Sequence, residues 1–381
     1  MKTLLPVPEI AIGAGRIDQL GTDIAALPGA PERVLLVIDR FLSKAGVAER
    51  VRAALAAKDR TMSLWDELAG EPSGAQIDAA ADLARRDRVQ AVIGIGGGSA
   101  LDVAKLVAAI VPGAAKVEHY AFCANPLPAR PLPAICVPTT AGTGSETTHT
   151  AVFTNAAGKK AWAWGPELGA AKAILDASLT VSLPAALTAA TGIDALVHAV
   201  ESCTNANRFE ANDLTAHAAI RLVARHLPMA VREPGNLAAR EGMLVASCYA
   251  GIAINNAGTA IAHNIAHALG SLGKVHHGRA AGLGLRASLP WSLDASAPAF
   301  AAVAEAMGGP CDAAALPGLL DRLIREVGLK TRLTDELPGI TPERLAAEMA
   351  LPENEAMRRS SARPSTDADL LHLARAVLTA A

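Results

Sequence analysis

The feature that most constrains this chain is a series of four short apolar runs in its first half, separated by helical patterns. They are "RVLLVID" (33–39), "QAVIGIG" (90–96), "LPAICVPTT" (132–140) and "KAILDA" (172–177). "SKAGVAERVRAALAAK" and "SALDVAKLVAAI" follow the first two with helical periodicity. Unbroken apolar strands spaced by amphipathic helices predict a parallel sheet covered on both faces. Such sheets bind ligands beyond the C-terminal ends of their strands. From residue 184 onward the pattern changes to long Ala/Leu-rich helical stretches with no convincing strand. A length of 381 residues exceeds one ordinary core. The expectation is an α/β domain over 1–182 and an all-α domain over 183–381.

Composition narrows the class. Apolar residues make up 51% of the chain and aromatics only 3%, so the core is aliphatic and the chain can fold. A net charge of −2 points to neither nucleic acid nor an anionic membrane as partner. The five cysteines are scattered, odd in number and form no C-x-x-C, which fits a reducing cytoplasm. Neither a secretory leader nor a transmembrane helix is expected.

Two glycine-rich turns follow predicted strands. In "VIGIGGGSALDVAK", Gly96, Gly97 and Gly98 end a strand and Ser99 opens a helix, with Asp102 placed for a capping box. Bare backbone at a helix N-terminus suits a phosphate, so Gly96, Gly97, Gly98, Ser99 and Asp102 are candidate cofactor contacts. An ordinary strand-to-helix turn would look much the same. "VPTTAGTGSETT" (137–148) adds a second hydroxyl- and glycine-rich turn after the next run. Asp39 ends the first strand, where a carboxylate can bond ribose hydroxyls and repel a 2′-phosphate. No G-x-G-x-x-G occurs in the usual Rossmann place.

Seven of the ten histidines fall between residues 198 and 277. Asp194 and His198 are spaced i, i+4, as are His263 and His267, so each pair shares a helix face. His276 and His277 follow at a turn. Together these can supply three or four ligands to one divalent ion, and O and N donors without thiolate suit Fe(II), Zn(II), Mn(II), Co(II) or Ni(II). His217, His226 and His372 read as ordinary surface or core histidines.

Five ordered motifs, "GGGSALDVAK", "PTTAGTGSE", "ILDASLTVSLP", "TGIDALVHAVE" and "HNIAHALG…HHG", resemble the iron-containing (group III) alcohol dehydrogenase family. The resemblance implies a dinucleotide-binding α/β domain with a mostly parallel sheet and an all-α C-terminal domain, the dehydroquinate synthase-like architecture. It implies metal ligands Asp194, His198, His263 and His277, the last chosen over His276 because it directly precedes Gly278. His267 is implied near the nicotinamide in a proton-relay role. Gly97, Gly98 and Ser99 would hold the pyrophosphate, Thr139, Thr140 and Thr143 would line the nicotinamide side, and Lys160 would contact cofactor hydroxyls. The implied cofactors are NAD, with NADP as the alternative that Asp39 disfavours, and Fe(II), with Zn(II) as the alternative. The implied activity is reversible hydride transfer between nicotinamide and a small alcohol or aldehyde, by a homodimer with no nucleic-acid or membrane partner.

Departures from the family pattern include His149, His276, Trp162, Trp164 and "SARP" at 361–364. They concern the substrate pocket, where Arg358, Arg359 or Arg363 with His149 could favour an anionic substrate. Maleylacetate reductases and zinc-dependent polyol dehydrogenases share the architecture. The retained Asp194 argues against the first. A non-catalytic metal- or nucleotide-binding protein is the remaining alternative.

Overall fold

The structure is a computed structural model that describes residues 2–68, 70–333 and 336–379. The chain divides into two compact units. One holds residues 6–140 and 144–180, and the other holds 141–143 and Val181 onward together with the chain start to Leu5.

Among its described residues the first unit contains eight strands: β1 (Glu9–Ile12), β2 (Arg33–Asp39), β3 (Thr61–Leu68), β4 (Ala91–Gly96), β5 (Ala134–Pro138), β6 (Thr150–Thr154), β7 (Lys160–Trp164) and β8 (Lys172–Leu175). Five helices accompany them: α1 (Leu20–Ala26), α2 (Arg40–Lys44), α3 (Val47–Ala56), α4 (Gly74–Arg86) and α5 (Gly98–Ile110). Six strands form one parallel sheet in the order β1-β8-β5-β4-β2-β3, while β6 and β7 pair antiparallel in a separate hairpin. The four runs legible in the sequence become β2, β4, β5 and β8.

Side-chain alternation accounts for the layering. Leu35, Val37 and Val92 enter a core built with α4 and α5, whereas Val34, Leu36, Ile38, Ile93 and Ile95 enter a second core built with α1 and α3. Both faces of the sheet are therefore covered, which is why its central strands read as unbroken apolar runs. Strands β1 and β3 lie at the two edges of the sheet. The first is only four residues long, and the second mixes Asp and Glu into its run, so neither carries that signal.

The second unit is helical: α6 (Ala185–Thr204), α7 (Glu210–Arg232), α8 (Leu237–Ala257), α9 (Ile261–Leu272), α10 (His277–Ser292), α11 (Ala297–Ala306), α12 (Leu316–Glu326), α13 (Pro342–Met349), α14 (Glu355–Ser360) and α15 (Asp367–Thr379). Helix α6 is buried on every side from Thr188 to Thr204, as expected for a central helix packed by α7, α8 and α10. Helix α8 is long and apolar enough to cross a membrane by length and composition. It packs on α6 and α7 and contributes Met243, Ala246, Ala250 and Ala253 to the helical core. Glycines let α10 approach its neighbours: a Cβ on Gly282 would lie 2.5 Å from Ile193 Cγ2 of α6, and one on Gly284 would lie 2.4 Å from the Ala262 carbonyl oxygen of α9.

Candidate metal centre and cofactor turns

Three helices of the second unit bring Asp194, His198, His263 and His277 together. Helix α6 presents Asp194 and His198 one turn apart, α9 presents His263 in its first turn, and α10 begins at His277. One donor atom from each of the four falls within 4.8 Å of the others. Asp194 Oδ1 stands 3.8 Å from both His263 Nε2 and His277 Nε2. The rings of His198 and His263 stack with centroids 4.6 Å apart. Metal–donor bonds of ~2.0–2.2 Å place ligand atoms at most ~4.4 Å apart, so only a small contraction separates this cluster from a coordination shell.

The electrostatics favour a cation. Asp194 and His263 are buried, yet Asp194 Oδ1 and His263 Nε2 have no hydrogen-bond partner among the described residues. Buried polar atoms without partners are costly and call for an explanation, and a bound ion would satisfy both. Burial opposes ionisation of Asp194, but His198, His277 and His263 hold its carboxyl well below the usual carboxylate range. Burial lowers His198, with Asp194 opposing. His263 is raised to about 9 against its own burial by Glu201 and Asp194.

The other ring nitrogens are fixed. His198 Nδ1 lies 3.1 Å from the Gly142 carbonyl oxygen, an acceptor only, so Nδ1 donates. His263 Nδ1 lies 2.6 Å from Glu201 Oε2. Sequence reasoning passed over Glu201, although it follows Asp194 and His198 at i+7 and i+3 and so shares their face of α6. His267 is half-buried on α9, with its ring centroid 5.6 Å from that of His277. His276 is exposed and sits at the N-cap of α10 without a side-chain cap bond.

In the α/β unit, the candidate cofactor residues gather at the C-terminal ends of three adjacent strands. Strands β2, β4 and β5 end at Asp39, Gly96 and Pro138. The Thr139 amide donates to the Gly96 carbonyl at 2.9 Å, and Thr140 Oγ1 is the nearest atom to a Cβ built on Gly97, at 3.5 Å. A Cβ on Gly96 would meet Asp39 Oδ2 at 3.4 Å, which places that carboxylate beside the turn. Asp39 also caps α2 by accepting from the Leu42 amide at 2.9 Å.

Several expectations change. Helix α5 starts at Gly98 with Gly97 as its N-cap and has no side-chain cap, so the Ser99–Asp102 capping box does not form. Asp102 instead accepts from Ser145 Oγ at 2.5 Å and the Val152 amide at 3.0 Å, tying the hydroxyl-rich turn and β6 to α5. We keep Asp102 among the proposed cofactor contacts beside that tie. Thr143 groups with the helical unit, apart from Thr139 and Thr140. Lys160 pairs with Glu71 at 3.0 Å. Opening an exposed pair of this kind costs under about 1 kcal/mol, so Lys160 stays available.

The arginines expected to favour an anionic substrate each have a partner within the chain, none of them costly to open at the surface. Arg358 reaches Ser365 at 3.3 Å, Arg359 pairs with Glu355 at 3.0 Å, and Arg363 donates to the Trp291 carbonyl at 2.8 Å while lying over its ring. His149 is buried and packs against Gly169.

The chain is similar to known proteins over nearly its whole length. Residues 7–177 match the family described as "Iron-containing alcohol dehydrogenase", and residues 188–378 match "Fe-containing alcohol dehydrogenase family, C-terminal". The chain is 35% identical to "Probable alcohol dehydrogenase EutG" of Salmonella typhimurium, over 98% of its own length and 94% of that relative's. It is 32% identical to an NAD-dependent methanol dehydrogenase of Bacillus methanolicus, over 79% and 78% of the two chains. Among solved structures, the sulfoacetaldehyde reductase from Bifidobacterium kashiwanohense, in complex with NAD+, superposes with a TM-score of 0.91 at 30% identity, covering 100% of this chain and 99% of that one.

Proposed function

The chain belongs to the iron-containing alcohol dehydrogenase family, and we propose that it catalyses metal-dependent, NAD-linked interconversion of a small alcohol and its aldehyde. The observation that carries this reading is the buried convergence of Asp194, His198, His263 and His277, with two donor atoms left unpartnered. When bound, a divalent ion, Fe(II) with Zn(II) as the alternative, supplies Lewis acidity toward the substrate oxygen, and the nicotinamide supplies the hydride acceptor. Asp194 contributes the one anionic donor, and the three imidazoles contribute neutral ones, those of His198 and His263 through nitrogens directed by their partners.

His267 takes the proton that the substrate hydroxyl releases, on a ring nitrogen. An imidazole is suited to this because its ordinary pKa lies near neutrality. Its nearness to the His277 ring supports the assignment. Gly96, Gly97, Gly98 and Ser99 offer bare backbone at the start of α5 to a pyrophosphate, while Asp39 accepts from ribose hydroxyls and repels a 2′-phosphate. Thr139, Thr140 and Thr143 are assigned to the nicotinamide side, and Lys160 to cofactor hydroxyls. The relatives' own names, an NAD-dependent methanol dehydrogenase and a reductase bound to NAD+, support NAD over NADP. All five cysteines are free, which suits the reducing cytoplasm we assign. A homodimer is proposed as the assembly, on the ground that β1 stands at an edge of the sheet, and is testable by light scattering.

The test is NADH formation by protein loaded anaerobically with Fe(II), across a panel of alcohols, with NAD reduction followed before and after chelation. Turnover that disappears on chelation and returns with metal is expected. Undiminished turnover after complete metal removal would contradict the reading.

A further inference from the structure

We propose that Glu201 is a positioning residue for the metal centre, one carboxylate that fixes both the ring of His263 and the start of the helix carrying it. This rests on the metal-binding reading above. Glu201 is 3% exposed and is not one of the four clustered residues. Its Oε2 accepts from His263 Nδ1 at 2.6 Å and from the Ala260 amide at 2.8 Å, and its Oε1 accepts from the Ala262 amide at 2.6 Å. Ala260 is the N-cap residue of α9 and has no capping side chain of its own. The carboxylate therefore does for α9 what a cap would do, with a negative charge at the positive end of the helix.

The same contact decides which nitrogen of His263 faces the ion. An ionised carboxylate only accepts, so Nδ1 must carry the proton. In the neutral ring the lone pair is then on Nε2, the atom left without a partner and directed toward Asp194. A carboxylate behind an imidazole also makes it a stronger donor. His198 is held by a neutral carbonyl instead, so the two stacked rings are backed differently. Because α9 also bears His267, any shift of its first turn displaces the residue assigned to proton transfer.

Glu201→Gln preserves volume but replaces one accepting oxygen with an N–H donor, leaving three donors for one oxygen. Cofactor-free wild type and variant would be compared for Co(II) affinity by chelator competition and for the visible spectrum of the Co(II) protein. A 10- to 100-fold loss of affinity with an altered spectrum is expected, in line with the usual effect of losing such a partner. A purely structural Glu201 would lower the melting temperature of the metal-free protein and leave the Co(II) affinity and spectrum unchanged, which would overturn the proposal. Failure of the wild type to bind Co(II) would overturn the metal reading itself. Should the variant not fold, 15N-histidine spectra of the Zn(II)-loaded wild type decide. A protected Nδ1–H on His263 supports the role, and an Nε2–H with Nδ1 ligated overturns it.

Discussion

Gly278 sits so close to Ala190 that a Cβ built on it would lie 2.3 Å from the Ala190 carbonyl oxygen and 2.9 Å from Asp194 Cβ. The first turn of α10 is thereby pressed onto α6, next to the residue that ends in the cluster's only carboxylate. His277 reaches the site because its neighbour has no side chain. Gly278→Ala cannot be accommodated by rotating a flexible side chain, since the obstacle is backbone. Overpacking of this kind costs about 1–3 kcal/mol, and His277 would be displaced with the turn. The expected outcome is a folded protein with a lower melting temperature and at least tenfold weaker metal binding, read by calorimetry and chelator competition. Wild-type metal affinity would show that the close approach does not position His277.

Asp39 has two tasks that a single substitution can separate. It caps α2 and stands beside the turn after β4. Asn caps as well as Asp does, so Asp39→Asn should leave stability almost unchanged while removing the charge proposed to repel a 2′-phosphate. The ratio of kcat/KM for NADP to that for NAD should rise by roughly tenfold, about 1.4 kcal/mol of discrimination. An unchanged ratio with an intact melting temperature would remove Asp39 from cofactor selection.

The sequence made the covered strands legible because burial on both faces leaves unbroken apolar runs, as in "AVIGIG" of β4. Edge strands and the β6–β7 hairpin escaped because their residues mix polar and apolar types along one face. The resemblance picked out the four residues that the helices bring together, while spacing alone left His267 and His276 in contention. Glu201 was missed because a glutamate on a long helix ordinarily reads as a solvated residue. Its i+3 spacing from His198 was the available signal. Asp102 misled for the opposite reason: Ser99 and Asp102 have capping-box spacing, but the carboxylate is claimed by Ser145 and Val152 from a distant segment, a contact no local pattern encodes.

Glu146 gives a pH dependence with a defined direction. It is buried, and neither carboxylate oxygen bonds another residue among those described. Burial pushes its carboxyl up to about 7 from an ordinary 4.5, with its own backbone amide and Lys105 opposing. Between those values the folded chain holds a proton that the unfolded chain has released. Stability from this group is therefore greatest at low pH and is lost as pH rises from about 4.5 through 7. The full span is worth roughly 3 kcal/mol. Glu146→Gln removes the titration, so the variant should gain about 2–3 kcal/mol relative to wild type on going from pH 5 to pH 8 in urea unfolding. An offset that is the same at both pH values would show that Glu146 is not held protonated.

In the proposed function one divalent ion is held by Asp194, His198, His263 and His277. The most direct measurement is metal content per chain after anaerobic Fe(II) loading and desalting, for wild type beside His263→Ala. One iron per wild-type chain and almost none in the variant are expected, because a buried ligand with a fixed donor nitrogen has been removed. Equal, stoichiometric iron in both proteins would contradict it.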